Sequence, residues 1–241
     1  AESIVAIGRN AGKNITKSAQ SGVYSVLIGN SANYNNTGGS NNIAIGYNAA
    51  GHSTNSMTNT LVLGNFAAQS GPGPTNSTVI GIHAFGNVSG NHPQYVTALG
   101  GYALYGSAST TTGINGAVAI GHKSLYSITS GAGNTAVGYE AGYALTSGNS
   151  NTIIGYDAGK TLTTGADNVI IGRDAGNDTN GSKAVIIGGY AADDNSPTNA
   201  VVIGYAAGRV INGENTTAVG YNALKVATEP DNTAVGAYAL Q

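Results

Sequence analysis

Charged side chains recur at one position of a repeated phrase, and they are the first candidates for chemistry. Each lies two residues after a glycine that follows an apolar triplet: Lys123, Glu140, Asp157 and Asp174. In a parallel stack of copies, such residues lie about 5 Å apart, and neighbouring carboxylates repel each other. Carboxylates at this spacing suit three functions: Ca²⁺ binding, retaining glycoside hydrolysis, and binding of sugar hydroxyls. We favour the alternative, a solvated face neutralised by Lys123, Lys160 and Arg173.

Catalysis and metal binding lack the remaining groups that they require. A glycosidase needs an apolar pocket to raise the pKa of one carboxyl group, and no such pocket is indicated. The four histidines share no position of the phrase and no chelating spacing: His52, His83, His92 and His122. We therefore expect no enzyme activity, no metal site and no cofactor.

Tyrosine recurs directly after the same glycine, at Tyr47, Tyr139, Tyr156, Tyr205 and Tyr221. A column of aromatic rings is a candidate platform for stacking sugars. Packing over the glycine corner or over a seam between subunits is the interpretation that we favour.

The elements that position these residues are copies of one repeat. We call the glycine after each apolar triplet the anchor and number positions relative to it. Anchors occur at residues 8, 29, 46, 64, 81, 100, 121, 138, 155, 172, 188, 204, 220 and 236, with spacings of 16–21 residues. These fourteen copies occupy the whole chain, so we predict a single repeat domain over residues 1–241. Its coils are regular over 122–241 and carry longer loops over 1–121.

The composition fits a weakly charged β-protein. Only 8% of the 241 residues are charged, 38 are glycine, and cysteine is absent. Eleven acidic against nine basic residues leave no electrostatic footprint for nucleic acid. No apolar run approaches the roughly 18 residues of a membrane span, so we expect no membrane insertion.

Small and amide side chains mark two further columns. Position +3 is Ala in thirteen copies, with Ser124 as the exception, which predicts a tight interior or a close backbone approach. Asn occupies position −4 or −5 in nine copies, for example at Asn42, Asn134, Asn151 and Asn168. Asn tolerates left-handed turn conformations and can hydrogen-bond to its stacked copy, which suits a corner.

A repeat of this length predicts an all-β fold. Sixteen or seventeen residues cannot hold a strand, a crossover helix and two loops, but they fit two short strands and two turns. The first predicted strand is the apolar triplet and the second is the Ala-containing stretch. Polar turns follow at Thr146–Gly148, Thr163–Gly165 and Thr179–Gly181. The fold predicted is a parallel β-solenoid of about 14 coils.

The apolar triplet is apolar at all three positions, which indicates burial on both faces of the strand. We predict that positions −1 and −3 face the solenoid core, with −1 at Ile45, Val137, Ile154, Ile171, Ile187, Ile203 and Val219. Position −2 then points outward into an interface between chains, at Ala44, Ala136, Ile153, Ile170, Ile186, Val202 and Ala218. An exposed apolar stripe would aggregate, so we expect a homo-oligomer.

The repeat resembles a known family. The stretch "NTAVGYEAGYALTSGNSNTIIGYDAG" (Asn134–Gly159) resembles the repeats of bacteriophage tail-fibre proteins. More distantly, "NNIAIGYNA" (Asn41–Ala49) is similar to the head repeats of trimeric autotransporter adhesins. The resemblance implies a left-handed parallel β-roll and a homotrimer whose roll strands face the threefold axis. It also implies display of a host-binding or surface-binding region.

Longer coils in the first half are candidates for binding. They span Arg9–Ile28, Ile82–Leu99 with "GNHPQY", and Gly101–Ile120 with "YGSASTTTG". Insertions in repeat proteins map to surface loops, often on the binding face. The receptor-binding candidates are therefore His92, Tyr95, Tyr102 and Tyr105.

The function expected is a structural and receptor-binding segment of a viral tail fibre. It would lie outside the cell on the virion, with itself and a host surface glycan or protein as partners. The alternatives are a bacterial trimeric adhesin head on the cell surface, an ice-binding solenoid, and a fibre-borne polysaccharide depolymerase. No flat two-column Thr array supports ice binding. The chain also shows no capping segment, and we expect a longer fibre that continues at both ends.

Overall fold

The computed structural model describes residues 3–15, 24–52, 57–90, 92–106, 112–177, 180–194, 197–211, 214–227 and 229–240. None of these residues is helical, so the described part holds no helix that could cross a membrane. Two compact units are formed, Ala1–Ser130 and Gly131–Gln241, and each is described by itself. The prediction of a single repeat domain stays a prediction.

Unit 1 is a run of parallel strands that pair in chain order. They are β1 (Ile4–Ile7), β2 (Ser25–Ile28), β3 (Ile43–Ile45), β4 (Leu61–Leu63), β5 (Thr78–Ile80), β6 (Thr97–Leu99) and β7 (Val118–Ile120). Each position of one copy pairs with the same position of the next, as Ala44 does with Val62. Equal positions therefore form columns.

Unit 2 repeats this arrangement with β8 (Thr135–Val137), β9 (Thr152–Ile154), β10 (Val169–Ile171), β11 (Val185–Ile187), β12 (Val201–Ile203), β14 (Thr217–Val219) and β16 (Thr233–Val235). A second parallel pair, β13 (Val210–Ile211) and β15 (Val226–Ala227), lies beside it. The predicted all-β parallel β-solenoid is confirmed.

The prediction of a second strand over the Ala-containing stretch is wrong for most coils. Positions +2 and +4 have φ between 47° and 61° in all fourteen copies, which is the left-handed region. A backbone that alternates in this way forms turns, because a strand requires extended angles throughout. The coils still bond to each other there: the Ala50 amide donates to the Ala67 carbonyl, and the Ala68 amide to that of Ala84.

The predicted assignment of the strand faces is reversed. The residues predicted at a subunit interface are fully buried within the single chain: Ala44, Ala136, Ile153, Ile170, Ile186, Val202 and Ala218. Of those predicted in the core, Ile45, Ile154 and Ile203 are 36–37% exposed. The remaining four are partly exposed: Val137, Ile171, Ile187 and Val219. The centre of each triplet thus points into the solenoid, and positions −1 and −3 form its outer face.

Side-chain volume explains why the interior accepts this central column. A Cβ atom on Gly159, at position +4, would lie 3.3 Å from Ile170 and 3.4 Å from Ile153, so +4 and −2 meet inside the coil. Some coils combine a small residue at −2 with a large one at +4, as in the pairs Ala98 with Leu104 and Ala119 with Leu125, whereas Ala136 stands with Gly142. Ile153 accompanies Gly159, and the coil keeps its packing density.

The predicted small column is confirmed as interior. Position +3 is fully buried from Ala32 to Ala223, and this includes Ser124, whose hydroxyl donates to the Gly121 carbonyl at 3.2 Å. The hydroxyl is satisfied inside its own turn, so Ser replaces Ala there without an unpaired polar group.

Candidate functional site

The acidic column is held by a lysine. Lys160 Nζ lies 2.8 Å from Glu140 Oε2 and 3.0 Å from Asp157 Oδ2, and it thus bridges two coils. Hydrogen bonds to Glu140 and then to Asp157 raise the pKa of Lys160 above its usual value, because both carboxylates favour its charged form. Among the described residues, no group of three or more metal-ligating side chains is present. The predicted neutralisation is supported for Glu140, Asp157 and Lys160, but the face is not solvated at Glu140, which is buried.

The other two cations of the predicted face have aromatic neighbours. The Arg173 guanidinium lies 4.7 Å from the centroid of the Tyr190 ring, with its Nε 3.8 Å from Asp174 Oδ2. Lys123 Nζ lies 6.0 Å from the centroid of the Tyr126 ring. Both distances fall within the range of cation–π attraction.

Two of the four receptor-binding candidates belong to an aromatic cluster in unit 1. The ring centroids of Tyr102 and Tyr105 lie 5.5 Å apart. Tyr102 also stacks on His83 at 5.0 Å, and Tyr105 stacks on Tyr126 at 5.2 Å. His83 in turn stacks on Phe66 with an interplanar angle of 4°. The cluster thus consists of rings from successive coils, and the stacking of the coils brings these rings together.

The other two candidates lie on the loop that precedes β6. His92 Nδ1 lies 3.3 Å from the Gly73 carbonyl oxygen, and Gln94 forms a bridge with Thr75. Tyr95 is 64% exposed and has φ 59°. The structure therefore pins this loop to the preceding coil and leaves Tyr95 accessible. The receptor role of all four candidates stays a prediction.

Parts of the long loops fall outside the described residues. These parts are residues 16–23 of the coil Arg9–Ile28, Asn91 of "GNHPQY", and residues 107–111 of "YGSASTTTG". Thr179 of the predicted polar turns also lies outside them.

The tyrosines after the anchor form stacks in unit 2. Tyr139 and Tyr156 have centroids 5.1 Å apart at an angle of 9°, and Tyr205 and Tyr221 lie 5.6 Å apart at 10°. In such a pair each ring covers one face of its neighbour, and the four side chains remain 41–52% exposed. The contacts support the packing interpretation for these two pairs, and the role as a platform for sugars stays a prediction.

Sequence reasoning missed a cleft in unit 2. It has a volume of about 320 Å³ and is lined by Tyr190, Asp193, Tyr205, Ala206, Arg209, Asn222 and Lys225. At its rim the Arg209 Nε atom lies 3.5 Å from Asp194 Oδ2. The signal available in the sequence was Ala206, a small residue at position +2 between Tyr190 and Asn222.

Comparison with known proteins gives no matching family model, no significantly similar curated sequence and no significantly similar solved structure. The fold itself defines the class of the protein: a parallel β-solenoid built from one repeated coil.

Proposed function

We propose that the chain is a segment of a viral tail fibre, located on the virion, that assembles as a homotrimer and attaches to the surface of a host cell. Two lines of support lead to this function. The repeats resemble those of tail-fibre proteins, a resemblance that also implies the left-handed roll. The second line is the exposed apolar face of the solenoid.

That face is the observation on which the proposal depends. Positions −1 and −3 of the strands are apolar or Thr throughout, and they form two columns on the outside of each unit. Exposed members include Ile43 at 41%, Leu99 at 40% and Ile154 at 37%. Seven strands at a spacing of about 4.8 Å make such a face roughly 30 Å long in each unit. Proteins rarely leave a continuous apolar face of this kind in water.

A second and third copy of the chain are the occupants that we propose for this face. The columns have no charged residue among positions −1 and −3, so the face selects an equally apolar and equally periodic partner. Another copy presents the same spacing, and three copies around one axis cover all three faces at once. In the trimer that we propose, the chains contact each other through positions −1 and −3, because position −2 is buried inside each chain.

The assembly is tested by the variant Ile154→Asp, measured by light scattering coupled to gel filtration. We expect the wild type to have three times the 23.8 kDa chain mass. The variant should be monomeric with an unchanged far-UV circular dichroism spectrum, because burying the new charge would cost several kcal/mol.

Asn149→Asp is the matched control, since Asn149 is exposed at position −6 and the same position of the two adjoining coils holds Ala132 and Ala166. This control should remain trimeric. A monomeric wild type, or a trimeric Ile154→Asp variant, would contradict the assembly.

Attachment is tested with the fluorescently labelled chain on a panel of bacterial cells. Saturable binding without cleavage of surface polysaccharide is the expected result. Depolymerisation would indicate an enzyme instead, and an absence of binding to every strain in the panel would contradict attachment by this segment.

A further inference from the structure

The cleft of unit 2 is created by the register of the solenoid. Three consecutive coils contribute position +5, at Asp193, Arg209 and Lys225, and the same three contribute position +2, at Tyr190, Ala206 and Asn222. Residues in one column lie about 4.8 Å apart along the solenoid. The middle coil places a methyl group between a tyrosine and an asparagine, and the missing side-chain volume becomes the cleft.

The lining combines hydrogen-bond donors with acceptors. Lys225 and Arg209 supply donors, Asp193 supplies acceptors, and the Asn222 amide and the tyrosine hydroxyls supply both. A ligand covered with hydroxyl groups, each of which is both donor and acceptor, matches this mixture. The volume of about 320 Å³ lies at the lower end of the range for small-molecule sites.

The charges of the cleft favour a neutral ligand. The Arg209 guanidinium lies 3.5 Å from the Asp194 carboxylate, and a second carboxylate, that of Asp193, lines the cleft together with Lys225. A phosphate or a sulfate that bound to the two cations would also lie near two carboxylates, which would repel it. A neutral sugar avoids this repulsion and uses both charges for hydrogen bonds, which are stronger when one partner is ionised.

Tyr205 of the cleft has two aromatic neighbours, since it stacks on Tyr221 and meets Tyr190 edge to face. Tyr190 and Tyr205 meet edge to face, with centroids 5.7 Å apart and an angle of 79°. An edge-to-face pair does not hide both rings behind each other as a parallel stack does. Tyr205 remains 48% exposed although it stacks on Tyr221, so apolar ring surface is available beside the polar groups.

We infer that this cleft binds one neutral hexopyranose ring, with its hydroxyl groups on Asp193, Asn222 and Lys225 and its apolar face against the tyrosines. The inference rests on the proposed function for the source of the sugar, which is a glycan of the host surface.

The test is the variant Ala206→Tyr, which fills the cleft without new backbone strain. Ala206 has φ 50°, and tyrosine is accepted at the same position with φ 57° at Tyr102 and 56° at Tyr190. Asn48→Tyr is the control, because Asn48 has φ 55° at position +2 of a coil in unit 1. Both variants introduce a tyrosine at position +2 of a coil.

Binding is measured by saturation-transfer difference NMR with the methyl α-glycosides of glucose, galactose and mannose as probes. We expect transfer to at least one glycoside in the wild type, unchanged in Asn48→Tyr and weakened by about tenfold or more in Ala206→Tyr. The inference is overturned if no glycoside shows transfer, or if Ala206→Tyr retains it. Loss of the signal upon addition of equimolar inorganic phosphate would overturn the neutral ligand class.

Cell attachment by the same proteins separates this inference from the proposed function. If the wild type and Ala206→Tyr attach equally to cells, attachment stands and the cleft is not its binding site. If neither attaches while glycoside binding follows the expected pattern, the sugar site stands and the proposed function fails.

Discussion

Two independent features require the anchor glycine, as Gly155 illustrates. Gly155 has φ 141°, outside the regions open to residues with a Cβ atom, and its amide donates to the Val137 carbonyl at 2.9 Å. An added Cβ atom would overlap the carbonyl oxygen of Gly172, the next anchor. Backbone angle and available space therefore exclude every other residue type.

We predict that Gly155→Ala lowers the free energy of unfolding by about 3 kcal/mol or more, since strain and backbone overlap add. Urea unfolding followed by circular dichroism measures the change. The control is Gly133→Asn, because Gly133 has φ 69° and meets only Ser150 Oγ, at 4.0 Å. That control should stay within about 0.5 kcal/mol of the wild type. Equal effects of the two substitutions would show that the close approach of the anchors has no energetic weight.

The corner before most strands is built from two columns rich in asparagine, which have different roles. Position −5 is exposed and left-handed, and its side chains form a ladder in which Asn41 donates to Asn59 at 3.0 Å and Asn59 to Asn76 at 2.9 Å. Position −4 is buried in unit 2 at Asn134 and Asn151. The sequence predicted such a corner but did not separate the two columns.

The buried ladder connects coils through every polar atom of its side chains. Asn151 Nδ2 donates to the Gly165 carbonyl at 2.9 Å and to Asn134 Oδ1 at 3.0 Å. Asn151 Oδ1 accepts from the Asn168 amide at 3.0 Å. Since water cannot enter to replace these bonds, the ladder fixes the register of successive coils.

We predict that Asn151→Ala costs about 2–4 kcal/mol of unfolding free energy, because it leaves the Asn168 amide and the Gly165 carbonyl without these partners. Urea unfolding gives the cost, and hydrogen exchange should show reduced protection of the Asn168 amide. Asn215→Gly is the control, since Asn215 lies in the exposed ladder and donates to Asp231 Oδ1 at 3.0 Å. A loss in that control as large as in Asn151→Ala would contradict the difference between the two ladders.

At the scale of the whole molecule, the exposed face of the sheet ties stability to association. The columns at positions −1 and −3 are uncovered in the single chain and would be buried in the proposed trimer. Any partner that binds only the folded state raises its stability by mass action. We therefore expect the folding of the chain to be coupled to its assembly.

We predict that the melting temperature of the wild type rises with protein concentration over a hundredfold dilution series. The reason is that dissociation precedes or accompanies unfolding. Ile154→Asp should melt at a lower temperature that does not depend on concentration. Differential scanning calorimetry provides both curves, and a concentration-independent wild type would contradict coupled folding and assembly.

The sequence alone determined the repeat, the parallel stacking in columns, the all-β solenoid and the buried Ala column at position +3. These properties follow from regular spacing and from residue size, which neighbouring coils share. It could not determine which side of the strand faces inward. A triplet that is apolar at all three positions, such as Val169–Ile171, has no alternation, so its period of two gives no direction.

Tertiary structure decided that direction through the turns. Left-handed residues at +2 and +4 curve the chain so that Ile170 packs against Gly159, and Ile171 is left on the surface. The cleft likewise arises only in three dimensions, because Asp193, Arg209 and Lys225 are sixteen residues apart in sequence and become neighbours when the coils stack. Residue types set what each column can do, and the path of the backbone between anchors sets which columns meet.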